Sequence, residues 1–265
     1  MMNPESFVES TRELFSQLPL GFVKHLFVYD TVDSTNITAK ELALTGAAEG
    51  TVVVSRVQTH GRGRFDRTWE SPEGGLYFSF ILSPGIPANH LSLLPLATAV
   101  AVARTIESFG VHATIKWPND LRIGEKKIVG ILLESEAKDS AMKYVVVGIG
   151  VNLNTDMKKL SPEIRKRSTT LEHHTGCTVD HREFLKRFFL EFDDVYQGLL
   201  HRQDARIITE WKQRSDTLGK TVEIRTPSGN ISGIACDIDA SGFLLVRTTD
   251  GSLKTVNTGD CVYLQ

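Results

Sequence analysis

The chain has 265 residues, 41% of them apolar and 23% charged, with 30 Lys+Arg against 32 Asp+Glu and a formal charge of −2. That composition excludes a disordered or collagen-like chain, and the charge excludes a non-specific nucleic-acid coat. The length holds one full α/β domain plus something smaller.

The first element is a short helix. Asn3-Pro4 reads as an N-cap followed by proline at the first helical position, and Phe7, Leu14, Phe15 and Leu18 recur at helical spacing. It is expected to stop near Pro19-Leu20-Gly21. From Phe22 to about Asn154 the pattern becomes strand-rich. Runs Val23–Tyr29, Thr51–Val57, Leu76–Ser83, Ala113–Trp117, Ile128–Glu134 and Tyr144–Val151 are strand candidates, with helices over Thr35–Leu44 and Leu91–Phe109. Asp180-x-x-Glu183 reads as a capping box. After it Phe184, Phe188, Phe192, Val195 and Leu199 form one apolar face, and a second helix holds Ile207, Ile208 and Trp211. From Gly219 short alternating strands are separated by turns at Pro227–Asn230, Asp239–Gly242, Asp250-Gly251 and Gly259-Asp260, which predicts a small five-stranded β-barrel. The expected organisation is an N-terminal helical arm over 1–21, a large α/β domain over 22–215 and the barrel over 216–265.

No apolar run reaches the length of a membrane span, and the first ten residues lack a basic region followed by an apolar one. The three cysteines, Cys177, Cys236 and Cys261, have no C-x-x-C spacing. A disulfide framework and a cysteine zinc site are disfavoured, and a cytoplasmic protein with reduced thiols is expected. Cys236 and Cys261 alternate with barrel residues and read as buried thiols.

Three segments carry chemistry. In the first, Gly61, Arg62, Gly63, Arg64 and Arg67 follow a strand, with Gln58 before them and Trp69 after. Glycine lets the backbone approach a ligand, arginine offers a planar donor fork to carboxylate or phosphate, and the indole gives a face for a flat group. The reading is a loop closing over an anion; the alternative is an exposed basic loop without a ligand. It is neither a Walker loop nor a full dinucleotide fingerprint, since the Gly-Lys-Ser/Thr ending and the third glycine are missing. The second segment, Lys116-Trp117-Pro118-Asn119-Asp120 followed by Lys126-Lys127-Ile128-Val129-Gly130, puts a polar turn and a lysine at the entrance of an apolar strand. Gly130 within that strand signals close approach by a ligand. In the third, Gly148-Ile149-Gly150-Val151-Asn152, glycines alternate with strand residues and leave room for another group. His173, His174 and His181 lack acid or cysteine partners at ligand spacing, so no metal residues are assigned, and Arg165-Lys166-Arg167 reads as a solvated helix face.

Taken in order, Asp33-Ser34-Thr35-Asn36, then Gln58 to Trp69, then Lys116–Asp120 with Lys127-x-x-Gly130, then Gly148-x-Gly150-x-Asn152 resemble the bacterial biotin–protein ligase family, and the β-rich tail resembles that family's SH3-like C-terminal domain. The resemblance implies an α/β fold with a mixed, largely antiparallel sheet flanked by helices. It implies a two-step reaction: biotin and ATP give biotinyl-adenylate, and a lysine of a biotin carboxyl carrier domain then takes the biotinyl group. By resemblance, Lys127, Arg64 and Arg67 supply the positive charge of catalysis. Ser34, Thr35, Gln58, Gly61, Arg62 and Gly130 surround biotin, while Trp69, Asp120 and Asn152, with Lys127 and the two arginines, hold the nucleotide. Magnesium is expected only as the counter-ion of ATP. Asp66 stands where many relatives carry glycine; its carboxylate can pair with a neighbouring arginine or help order the empty loop. Fewer than about thirty residues precede the first strand, so a DNA-binding winged helix, a repressor role and a DNA partner are not expected. A homodimer through the sheet is compatible with the resemblance. Two other readings stay open: a lipoate–protein ligase-like enzyme, and a non-catalytic biotin sensor.

Overall fold

The computed structural model describes residues 4–17, 21–83, 88–138 and 141–264. Its centre is a seven-stranded sheet in the order β1-β2-β3-β7-β6-β5-β4. β1 (His25–Val32) and β2 (Thr51–Gln58) are parallel, because α2 (Thr35–Leu44) crosses between them. All other pairs are antiparallel: β2 with β3 (Leu76–Leu82), β3 with β7 (Ala141–Val151), β7 with β6 (Lys126–Lys138), β6 with β5 (Asp120–Ile123) and β5 with β4 (Thr114–Lys116). β5 is the strand not anticipated from sequence, since its four residues Asp120–Ile123 carry only two apolar side chains.

β3 shows how the sheet divides its two faces. Leu76, Phe78, Phe80 and Leu82 enter the main core. There Phe78 and Phe80 meet Phe188, Phe189 and Phe192 of α6 (His181–Leu200) at ring separations of 4.7–5.9 Å. α3 (Leu94–Glu107) and α7 (Asp204–Arg214) complete that layer. Ile81 faces the other way, with Ala39 of α2 and with Val53, Tyr144 and Val146. Tyr77 and Ser79 alternate with the core residues and also point to the α2 side. A period of two thus puts the apolar core on one face and the polar cleft on the other.

The predicted apolar face of α6 is buried as expected. Asp180 caps it by accepting from the Arg182 N–H, but Glu183 does not close the box; it turns outward to Arg187 at 2.7 Å. α1 (Pro4–Gln17) docks through Phe7, stacked 4.4 Å from the His181 ring, and through Thr11 Oγ1, 2.8 Å from His181 Nε2. Burial pushes the His181 imidazole down to about 4. The proposed Asn3 cap, Leu18 and the Pro19-Leu20 stop lie outside the described residues, as do the side chains of Leu14 and Phe15.

The C-terminal strands form a five-stranded antiparallel sheet, β11-β10-β9-β8-β12. They are β8 (Thr221–Thr226), β9 (Gly229–Ile238), β10 (Leu244–Arg247), β11 (Leu253–Val256) and β12 (Asp260–Tyr263). Val222, Ile224, Ala235, Leu244, Val246 and Cys261 join the same continuous core as the large sheet. Cys236 corrects the sequence reading: it is exposed, whereas Cys261 is buried. Ala235 points inward on β9, so its neighbour Cys236 must point out. No described helix is long and apolar enough to cross a membrane.

Candidate active site

A cleft of about 480 Å³ opens on the α2 side of the sheet, walled by the arginine loop, by β5–β7 and by β12 of the C-terminal sheet. Its floor is a register row. Lys116 pairs across to Asp120, Asp120 to Gly130, Gly130 to Gly150 and Gly150 to Tyr77. Residues opposite one another in a ladder share a face, so this row places two charged groups and two glycines side by side.

The glycines are explained by what covers them. A Cβ on Gly150 would sit 2.5 Å from Trp69 Nε1, and one on Gly130 2.7 Å from Trp69 Cζ3. The indole therefore lies flat across both strands. The signal at Gly130, read from sequence as room for a ligand, is in this structure room for Trp69. Two residues along β7, a Cβ on Gly148 would fall 1.8 Å from Asn36 Oδ1.

Asn36 belongs to a buried polar cradle. Its amide donates to Glu134 at 2.8 Å, and Ser79 Oγ lies 2.6 Å from Asn36 Oδ1 and 2.7 Å from Thr35 Oγ1. Gln58 Oε1 accepts from the Thr35 N–H at 2.8 Å, and Gln58 Nε2 donates to Ser71 Oγ at 2.9 Å. Glu134 also holds Arg62 at 3.0 Å. Ser34, Thr35 and Asn36 are buried because α2 begins here, where its first turn packs on β3 and β7. Ser79 carried a sequence signal that was not used: it is the one hydroxyl with no aromatic ring in the otherwise apolar run Leu76–Leu82.

The arginine loop is a hairpin. Gly63 N–H donates to the Arg67 carbonyl at 2.7 Å, and Arg62 bridges Thr68. Its tip, Phe65-Asp66, has φ of 55° and 56°, the left-handed region that disfavours both residues. Asp66 is exposed and makes no ion pair with the arginines among the described residues, so its carboxylate does not compensate the loop's charge. Gly61 does not line the cleft; a Cβ there would meet the Trp69 carbonyl at 2.3 Å, so the residue lets the loop base close.

The loop's charges are held by the C-terminal sheet. Arg64 donates to Thr258 Oγ1 at 2.7 Å, to the Gly259 carbonyl at 3.1 Å and to Asn119 Oδ1 at 3.3 Å. Arg67 grips Asp260 with both nitrogens, at 3.1 and 2.5 Å. That pair holds the Asp260 carboxyl below its ordinary range and raises the Arg67 guanidinium, while burial lowers Arg64. Lys127 Nζ lies 2.6 Å from Asp120 Oδ1 and 5.1 Å from the Trp69 ring centre. Asn152, buried, completes the cleft at the end of β7, stitched through its backbone to Ile128 and Leu171.

Residues 28–152 match the biotin/lipoate A/B protein ligase family, and residues 217–263 match the biotin protein ligase C-terminal domain. The bifunctional ligase/repressor BirA of Bacillus subtilis is 37% identical over 239 residues, which cover 89% of this chain and 73% of that protein. The biotin–[acetyl-CoA-carboxylase] ligase of Paracoccus denitrificans is 33% identical over 227 residues, covering 83% of this chain and 92% of that one. The chain belongs to the biotin protein ligase family. A solved biotin protein ligase from Aquifex aeolicus, in complex with biotin and ATP, superposes with a TM-score of 0.79 at 31% identity over 91% of this chain and 99% of that chain.

The cleft thus gathers all but one of the residues that the resemblance to biotin protein ligases singled out, Gly61 being the exception. It adds residues that the resemblance did not assign. Arg167, read from sequence as part of a solvated face, lines the cleft with Leu160 and Ile164, while Arg165 and Lys166 stay outside. Gly259-Asp260 read from sequence only as a turn and Thr258 gave no signal, because their part in holding the loop exists only once two distant segments meet.

Proposed function

We propose that the chain is an ATP-dependent biotin–protein ligase that forms biotinyl-adenylate and passes the biotinyl group to a lysine of a biotin carboxyl carrier domain. The observation that carries this reading is the meeting of Lys127, Arg64 and Arg67 in one cleft with a buried hydrogen-bonding cradle beside them. In the first step a carboxylate must reach a phosphate, so two anions approach each other. Fixed cations lower that repulsion and cost no reorganisation as charge shifts. Lys127 sits at the boundary of cradle and charged loop, where it can touch both the carboxylate and the α-phosphate; Asp120 holds its ammonium in place. Arg64 and Arg67 close over the adenylate and keep it from water. Trp69 offers its open face to the adenine, with Asn152 beside it. Ser34, Thr35, Gln58, Arg62 and the strand at Gly130 enclose the ureido ring, whose N–H and C=O groups match a polar cradle.

Magnesium enters as the counter-ion of ATP. The described residues offer no cluster of three metal-binding side chains, and the cleft carboxylates Asp120 and Asp260 are each paired with a cation. A cytoplasmic setting suits the free thiols.

Lipoate is the competing substrate within the same family. Its dithiolane ring makes few hydrogen bonds and offers a polar cradle little to bind. The test mixes protein, ATP and magnesium with biotin or with lipoate and looks for the acyl-adenylate by mass spectrometry. Biotinyl-adenylate alone is expected. Lipoyl-adenylate overturns the substrate assignment, and tight biotin binding without any adenylate overturns the enzymatic one in favour of a sensor.

A further inference from the structure

Lys116 is a cleft cation that the roles above leave unused, as they do Arg122 and Arg167. It lines the cavity at the end of the register row, one strand beyond Asp120 and two strand spacings, about 10 Å, from Gly130. Most other cleft cations are compensated by a carboxylate, Arg167 by Glu163 among them, whereas Arg64 is bonded to the neutral oxygens of Thr258, Gly259 and Asn119. Lys127 pairs with Asp120, Arg67 with Asp260, Arg62 with Glu134, and Arg122 with Asp216 at 3.1 Å. Lys116 makes no ion pair among the described residues. Its ammonium instead stands 4.7 Å from the centre of the Tyr263 ring. Burial lowers its affinity for a proton, so the charge is held at a cost that an incoming anion would remove.

Tyr263 is built in rigidly. Its hydroxyl lies 3.0 Å from Thr217 Oγ1 and donates to Asp216 at 3.3 Å. Thr217 Oγ1 in turn accepts the N–H of Trp117, the residue after Lys116, at 2.9 Å. Lys220 and Arg122 crowd the same ring, at 4.2 and 5.6 Å. The electron-rich face of the phenol therefore steadies cations at the seam between the two sheets.

We infer that Lys116 binds the pyrophosphate leaving group of the adenylation step, and that Tyr263 is a positioning residue that aims its ammonium. The inference rests on the ligase reading above. In that step a carboxylate oxygen of biotin forms a bond to the α-phosphorus, and the bond from that phosphorus to the α,β-bridging oxygen breaks. The electron pair leaves on the bridging oxygen as pyrophosphate, and no proton moves. Charge thus accumulates on the side of the α-phosphate away from the attacking carboxylate. With the indole over Gly130 and Gly150 and Lys127 at Asp120, the next position along the row is Lys116. A lysine suits this task because its ammonium is a compact charge for a mobile phosphate rather than a fork for a fixed one.

The leaving group gives the test its discrimination, because biotinyl-adenylate contains no β- or γ-phosphate. Lys116→Gln is expected to slow biotin-dependent adenylate formation about 10- to 100-fold and to raise the KM for pyrophosphate in the reverse reaction by a similar factor. Its Kd for purified biotinyl-adenylate should stay within about twofold of the wild type, whereas Arg64→Gly should weaken that binding. Lys116→Arg should restore most of the rate, and Tyr263→Phe, which keeps the ring face, should lose less than Tyr263→Leu. Equal loss of adenylate binding and of adenylate formation in both Lys116 variants would make the residue structural and overturn the assignment, as would an unchanged KM for pyrophosphate. Failure of the wild type to make biotinyl-adenylate would instead refute the ligase reading, so the two failures are separable.

Discussion

The cradle and the arginine loop face the same cleft but are built in opposite ways. The cradle is a buried hydrogen-bond network between the first turn of α2 and the sheet: Thr35 to Gln58, Ser79 to Asn36, Asn36 to Glu134, with Glu134 also paired to Arg62. Ser34, Thr35 and Asn36 are all at most 5% exposed. The loop is a hairpin strained at its tip, whose cations reach across to the C-terminal sheet; the Arg67 side chain is 60% exposed. Buried, fully satisfied hydrogen-bond networks are rigid. Exposed ion pairs contribute little and exchange partners readily. On the proposed reading the biotin ring would therefore meet a preformed pocket, while phosphate would have to replace the carboxylate now paired with Arg67.

The largest effect is expected at the boundary of the two regions. Lys127→Ala should cut biotinyl-adenylate formation by about 100- to 1,000-fold while thermal unfolding and circular dichroism stay near wild type. Adenylate made at the wild-type rate would show that the charge lies elsewhere. Gly148→Ala breaks the cradle itself, since its Cβ would displace Asn36. It should cost roughly 1–3 kcal/mol of stability and weaken biotin binding, measured by denaturant titration and calorimetry. If both values hold, the cradle is not rigid. Arg64→Gly should leave biotin affinity intact but speed release of the adenylate about tenfold, read from chase experiments. Parallel loss of biotin binding would mean that loop and cradle are one unit. Asp260→Asn should change stability by less than about 1 kcal/mol, since its partner is largely exposed, and should lower the ATP concentration needed for half-maximal rate. A higher ATP requirement would show that Asp260 positions Arg67 rather than competing for it.

Much of the sheet was legible in the sequence because it alternates or is wholly apolar over long runs. Leu76–Leu82 and Thr51–Gln58 match their predicted strands almost to the residue, and α2 spans Thr35–Leu44 as predicted. β5 was not legible: Asp-Leu-Arg-Ile alternates, but four residues after a Pro-Asn turn are too short a run to stand out. In the site, types and order were readable, so the arginines, Lys127 and Trp69 stood out. Their partners were not. That Gly130 makes room for Trp69, that Gly61 closes a loop base, and that Cys236 faces out while Cys261 faces in depend on which face a strand turns to its neighbours.

The sequence by itself determined most of the elements and pointed to the family, because these rest on residue type at short spacing along the chain. Tertiary structure alone decided which charges are free. Arg67 meets Asp260 across 193 positions and Lys116 meets Tyr263 across 147, and only the docking of the C-terminal sheet on the cleft leaves the one paired with a carboxylate and the other with an aromatic face. Charge compensation is a property of distance in space, which no local pattern encodes.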